Sequence, residues 1–196
     1  VQLGGRPVVK LKVFPVASAD GPIGRGAALL IKLIMRIVPI KRVAVDLAGL
    51  AKQRRQVYAI DVGHDQMAQN LRDDPRVTLI EGLNARELTR AHLHASPDFV
   101  VADVSFISLK LALSPALALA KPGARLVALI KPQFEAGRER IGKGGVVAGD
   151  DIHATICTDI ADWIKNQEWR VIGVTPSPIA GGDGNREFLI ATEKPC

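Results

Sequence analysis

The stretch Leu126-Val127-Ala128-Leu129-Ile130-Lys131-Pro132-Gln133-Phe134-Glu135 decides how this chain folds. Five consecutive apolar residues, preceded by the turn signal Pro122-Gly123, have the form of a strand buried on both faces of a parallel sheet. The run stops on Lys131, and Pro132 disfavours helical backbone at that lysine. In open α/β sheets the carboxyl ends of the strands border the ligand crevice. A lysine there is partly desolvated, which favours its neutral, proton-accepting form. Taken alone, the stretch is better explained by a lysine that snorkels from the rim of the sheet to water. The flanking chain has to decide between the two.

Outward from this strand, apolar runs and helical patterns alternate. Upstream, Val43-Ala44-Val45-Asp46-Leu47, Val57-Tyr58-Ala59-Ile60-Asp61, Val77 to Ile80 and Phe99-Val100-Val101-Ala102-Asp103 read as strands. Short helices are expected over Gln66 to Arg72 and Arg86 to His94. A longer one runs from Ile107 to Ala120 and is stopped by Lys121-Pro122-Gly123. Downstream, a loop rich in glycine and charge (residues 136–149) leads to a helix over Asp151 to Asn166. There Ile152, Ile156, Ile160 and Ile164 recur every fourth residue on one face. Arg170 to Val174 and Glu187 to Ala191 follow as two strands with no helix between them, the mark of an antiparallel edge hairpin. At the amino end, Val8 to Phe14 alternates as a strand with two lysines on its wet face. A turn-rich segment, Asp20 to Gly26, then leads into a basic amphipathic helix from Ala27 to Val38, ended by Pro39. This order predicts an α/β fold with a mostly parallel sheet.

Length and composition agree with one domain of 196 residues that is 47% hydrophobic and 23% charged. Two cysteines make no disulfide framework, so a reducing, cytoplasmic setting is expected. The basic helix is too short and too charged to span a bilayer, so no stable membrane insertion is expected. The chain starts on Val1 rather than methionine, which suggests a fragment or a lost upstream segment. Its net charge of +6 is unevenly placed: residues 1–56 carry eleven Lys/Arg against Asp20 and Asp46, while the remainder is slightly acidic. A basic first quarter suits a polyanion, although a solvated surface would look the same.

Three charged residues stand where buried strands end: Asp61, Asp103 and Lys131. On neighbouring strands they would converge on one crevice, and Asp61 suits a ribose diol, whose two hydroxyls a carboxylate can accept. Gly137 to Gly144 nearly fits a phosphate-binding loop. However, Gly144 stands where a hydroxyl residue would hold magnesium and no helix follows, so ATP binding is rejected. The segment reads instead as a mobile loop whose Arg138, Arg140 and Lys143 are suited to phosphates. Asp20 to Gly26 is a weak glycine-loop candidate. His153 and Cys157 lie four apart, but two ligands make no zinc site, and no metal is expected.

Several strings occur in a fixed order: Ala102-Asp103-Val104-Ser105-Phe106-Ile107-Ser108-Leu109, Ile130-Lys131-Pro132-Gln133-Phe134-Glu135, Gly142-Lys143-Gly144-Gly145-Val146-Val147, Ser177-Pro178-Ile179 and Gly184-Asn185-Arg186-Glu187-Phe188. With Tyr58-Ala59-Ile60-Asp61-Val62-Gly63 and Asp74-Pro75-Arg76-Val77, they closely resemble the TlyA family of hemolysins and FtsJ-like 2′-O-ribose RNA methyltransferases, from about Val57 to Lys194. The resemblance implies a Rossmann-like fold that uses S-adenosylmethionine to methylate a ribose 2′-hydroxyl in RNA, ribosomal RNA in particular. FtsJ-type enzymes use a Lys-Asp-Lys-Glu tetrad, and Asp103, Lys131 and Glu187 fall on its last three positions. By that analogy Lys131 is the general base, with Asp103 and Glu187 orienting it; Asp61 holds the cofactor ribose and Asn84 lies near the adenine. A hemolysin's pore-forming role has no membrane-active stretch behind it.

The resemblance weakens before residue 57. The family's amino-terminal S4 RNA-binding domain has no counterpart ahead of Val1. Ungapped alignment sets Pro7 at the first tetrad lysine, so Lys10 or Lys12 could supply it only with a shift. Val45-Asp46-Leu47-Ala48-Gly49 starts like the family's first cofactor loop, which makes Asp46 a cofactor candidate. Yet only fourteen residues separate Asp46 from Asp61, too few for the glycine loop and its helix. The expected organisation is therefore a methyltransferase domain over residues 57–196, preceded by an atypical basic part over residues 1–56. That part reads as a degenerate or frame-shifted start of the domain. The alternative is a non-catalytic RNA-binding member that has lost its cofactor.

Overall fold

A computed structural model describes residues 9–14, 57–178, 181 and 184–196. The expected strand at Val43–Leu47, with Asp46, the Asp20–Gly26 loop and the Ala27–Val38 helix lie outside the described residues. Among the described residues, seven strands form one sheet: β1 (Val9–Phe14), β2 (Val57–Asp61), β3 (Val77–Glu81), β4 (Phe99–Val104), β5 (Arg125–Ile130), β6 (Arg170–Pro176) and β7 (Phe188–Glu193). The α-helices among them are α1 (Gln69–Arg72), α2 (Leu109–Leu119) and α3 (Asp150–Asn166).

The order across the sheet is β3-β2-β1-β4-β5-β7-β6. Pairing is parallel between β2 and β3 and between β4 and β5, and antiparallel where β1 or β7 takes part. Five strands therefore point one way and β1 and β7 the other. This is the expected mostly parallel α/β sheet with an antiparallel β6–β7 pair at one edge. No local pattern predicts that β1 sits in the middle of the sheet, reversed against both neighbours.

Side chains along a strand alternate between faces, so a continuous apolar run is needed when both faces are covered. The core divides accordingly. Tyr58, Ile60, Val100, Ala102, Leu126, Ala128, Ile130 and Ile190 join one cluster with α2 and α3. Val57, Phe99, Val127, Leu129 and Leu189 join a second with Leu71 of α1. Helix α3 presents Ile156, Ile160 and Ile164, all buried, to the first cluster, as the fourfold spacing predicts. Asp150 and Asp151 lie in its first turn and Lys165 in its last, each suited to the helix dipole. Cys157 packs against the same cluster, where burial pushes its thiol up to about 11.

Two local expectations fail. Residues 86–94 form separate 3₁₀ turns, Ala85–Glu87 and Arg90–His92, rather than one helix. The Asn84 side chain accepts from Arg86 N, and the His92 ring accepts from Thr89 N at 3.0 Å, so each turn is capped at its amino end, and extended backbone at Leu88 and Leu93 closes each after one turn. Upstream, Gln66 turns its amide onto the His64 carbonyl, and α1 begins only at Gln69.

Candidate active site

The carboxyl ends of β2, β4 and β5 meet on one side of the sheet, together with the amino end of the reversed strand β7. Lys131 follows Ile130, the last residue of β5; Glu187 precedes Phe188, the first of β7; and Ile130 and Phe188 are register partners. Lys10 of β1 is in register with Asp61 on one side and Asp103 on the other. Across the sheet the residues at this end therefore read Asp61, Lys10, Asp103, Lys131, Glu187, acids and bases in alternation.

Lys131 is 7% exposed, and its ammonium does not snorkel to water. Its Nζ lies 2.8 Å from Asp103 Oδ1 and donates to Ser105 Oγ at 3.1 Å. Glu187 and Asp61 are also buried, at 9% and 7% exposure. Asp61 Oδ1 accepts from Gly63 N at 2.9 Å, which fixes the carboxylate against the turn leaving β2. The Glu187 carboxylate lies so close to Gly181 that a β-carbon there would come within 2.9 Å of Oε1.

An open cleft of about 530 Å³ is lined by Val62, Asn84, Arg86, Phe106, Ile107, Ser108, Leu111 and Phe134. These residues come from the segments that leave β2, β3, β4 and β5, so the cleft lies at the same end of the sheet as the charged residues. Its volume suits a nucleoside-sized ligand. Asn84 lines it and caps a 3₁₀ turn through Arg86 N at 3.2 Å.

Two loops meet beside Lys131. Phe106 takes φ 64°, a left-handed conformation that costs a bulky residue energy, and turns the chain sharply after Ser105. Its ring meets that of Phe134 with centroids 5.2 Å apart. Glu135 accepts from Ser108 Oγ and from Leu109 N, both at 2.7 Å, and so joins the turn after Lys131 to the amino end of α2. Burial is the main influence on this carboxyl and holds it above the usual carboxylate range.

The glycine loop is likewise held. Buried Asn185 accepts from Val147 N at 3.0 Å and donates to Gly145 O at 3.1 Å, while the His153 ring contacts Val147 O at 3.1 Å. These bonds dock the end of the loop two residues before Glu187. Ser105, Glu135 and Asn185 were missed as site residues, although all three lie inside the quoted motifs.

Comparison with known proteins fits this geometry. Residues 41–194 match the family of FtsJ-like methyltransferases. YqxC, a candidate rRNA methyltransferase of Bacillus subtilis, is 40% identical over 97% of this chain and 64% of its own length. The 16S/23S rRNA (cytidine-2′-O)-methyltransferase TlyA of Mycobacterium tuberculosis is 42% identical over 68% of this chain and 50% of its own. A solved structure of a candidate hemolysin from Streptococcus thermophilus superimposes with a TM-score of 0.68 at 42% identity, covering 70% of this chain and 50% of that one. This chain thus spans between half and two thirds of the length of these relatives. By its matched residues and its fold, it belongs to the FtsJ-like methyltransferase family.

Proposed function

We propose that the chain methylates a ribose 2′-hydroxyl of ribosomal RNA with S-adenosylmethionine as donor, and that Lys131 is the general base. The observation that carries this reading is the ion pair of buried Lys131 with half-buried Asp103, 2.8 Å long, at the cleft end of the sheet. The cleft fits the donor: Asp61 stands at the end of β2 to accept from a ribose diol, and Val62, Ile107 and Phe134 offer apolar walls to a purine. Bound there, the donor supplies an electrophilic methyl group on a sulfonium, whose C–S bond electrons leave with a neutral thioether.

The residues of the chain manage the proton. Lys131 Nζ, as a neutral amine, takes the 2′-hydroxyl proton while the oxygen forms its new bond to the methyl carbon. Asp103 orients the amine and offsets the charge it acquires, and Glu187 supports it from the β7 side. Lys10, in register between Asp61 and Asp103, is the best-placed candidate for the first tetrad lysine. Asp46 remains a cofactor candidate from its sequence position. We assign the methyltransferase domain to residues 57–196 and its atypical start to residues 1–56, which lends β1 to the sheet. An rRNA substrate implies action in the cytoplasm. Among the described residues no helix is long and apolar enough to cross a membrane.

One observation favours a non-catalytic RNA-binding role instead: the fourteen residues between Asp46 and Asp61 leave no space for the family's glycine loop. Incubating the protein with ribosomal subunits and S-adenosylmethionine, then mapping nucleotides that resist alkaline hydrolysis, separates the readings. A new resistant nucleotide supports methyl transfer. RNA binding without one supports the remnant.

A further inference from the structure

We propose that Ser105 is a positioning residue that aims the proton-accepting lone pair of Lys131; this rests on Lys131 being the general base. The nitrogen has one bond to Cε and three remaining tetrahedral directions. Ser105 Oγ, accepting at 3.1 Å, takes one of them, while Asp103 Oδ1 stands 2.8 Å away as the ion-pair partner without a hydrogen bond. In the neutral amine one N–H bond then points at Ser105, and the Asp103 carboxylate disfavours the lone pair on its own side, which leaves the lone pair the direction facing neither group. Without Ser105 as acceptor, a hydrogen and the lone pair could exchange places by rotation about Cε–Nζ. The amine would then face the substrate hydroxyl with a hydrogen for part of the time.

The surrounding backbone holds Ser105 in place. The left-handed residue Phe106 turns the chain immediately after it, and Glu135 grips Ser108 and Leu109 beyond that turn. A strained conformation next to a reacting group persists only when the neighbouring contacts enforce it. When the 2′-hydroxyl proton arrives, it occupies the third direction. The resulting ammonium then has Ser105 as acceptor and the Asp103 carboxylate as its counter-ion, with no change in charge on Ser105.

Two measurements on Ser105→Ala and Ser105→Thr test this. In protein labelled with ¹⁵N-lysine, the Lys131 Nζ protons should exchange with water several-fold faster in S105A and at the native rate in S105T. In methyl transfer, S105A should lower kcat roughly tenfold, the scale of one hydrogen bond, with KM for donor and RNA within about twofold. S105T should recover most of the rate. Unchanged exchange and kcat in S105A would overturn the proposal. So would S105T as slow as S105A, because the loss would then come from packing rather than from the hydroxyl. If the native protein methylates no RNA, the general-base reading fails, and the exchange measurement still decides whether Ser105 holds the amine.

Discussion

The two halves of the cleft are built differently. Around Lys131 the contacts join residues far apart in the chain: Lys131 to Ser105 across 26 residues, Glu135 to Ser108 across 27, and Asn185 to Gly145 across 40. At Asp61 and Asn84 the bonds that shape the turns are local. Asp61 accepts from Gly63, Gln66 donates to His64, and Asn84 accepts from Arg86, each two residues away. Long-range bonds fix one element against another, whereas local bonds fix only the shape of a turn. The half proposed for proton transfer is therefore set by the fold itself. The half proposed for the donor has its turns preformed by bonds within each turn.

If that contrast is right, substitutions in the two halves should fail in different ways. The largest effect belongs to Lys131→Ala, which should lower kcat by about 100- to 10,000-fold while donor affinity stays within a few-fold. Equal loss of both would make Lys131 a structural residue. Next is Asp61→Ala, which removes the carboxylate proposed to accept from the donor's ribose. It should weaken S-adenosylmethionine binding by roughly ten- to a hundredfold, measured by titration, with the thermal midpoint little changed.

Glu135→Ala should act on stability rather than on donor binding. It leaves Leu109 N and Ser108 without their carboxylate and should cost about 1–3 kcal/mol in denaturant unfolding. The same residue gives a pH test. Burial raises the folded carboxyl above 4.5, so above that pH the folded state keeps a proton that the unfolded chain has lost. Stability from this group is present below 4.5 and is lost as pH rises through the folded value. Glu135→Gln, which does not titrate, should flatten that part of the stability profile. The smallest effect is in amide exchange. Leu109 and Val147, held by distant side chains, should exchange more slowly than Gly63 and Arg86, and added donor should slow Gly63 most.

The same contrast decides what could be read from the sequence. Strands such as Val57–Asp61 and Arg125–Ile130 were legible because burial on both faces demands unbroken apolar runs. Helix α3 was legible because one buried face demands isoleucine at every fourth position. Asp61, Asp103 and Lys131 stood out as charged residues ending those runs. Ser105 and Glu135 did not, because their meaning lies in partners 26 and 27 residues away that no local period encodes. The turns at 85–92 were misread as part of one helix because the bonds that open two separate turns, from Arg86 N to the Asn84 side chain and from Thr89 N to the His92 ring, leave no mark in the hydrophobic pattern. The central, reversed position of β1 left no mark, since strand pairing is a property of the assembled sheet.

Whether this fold seats the methyl donor is most directly tested by calorimetric titration of the protein with S-adenosylmethionine. Saturable one-to-one binding in the micromolar range, weakened by Asp61→Ala and retained in Lys131→Ala, is the expected result. Binding that is absent, or only millimolar and indifferent to Asp61, would contradict a working methyltransferase site in this chain.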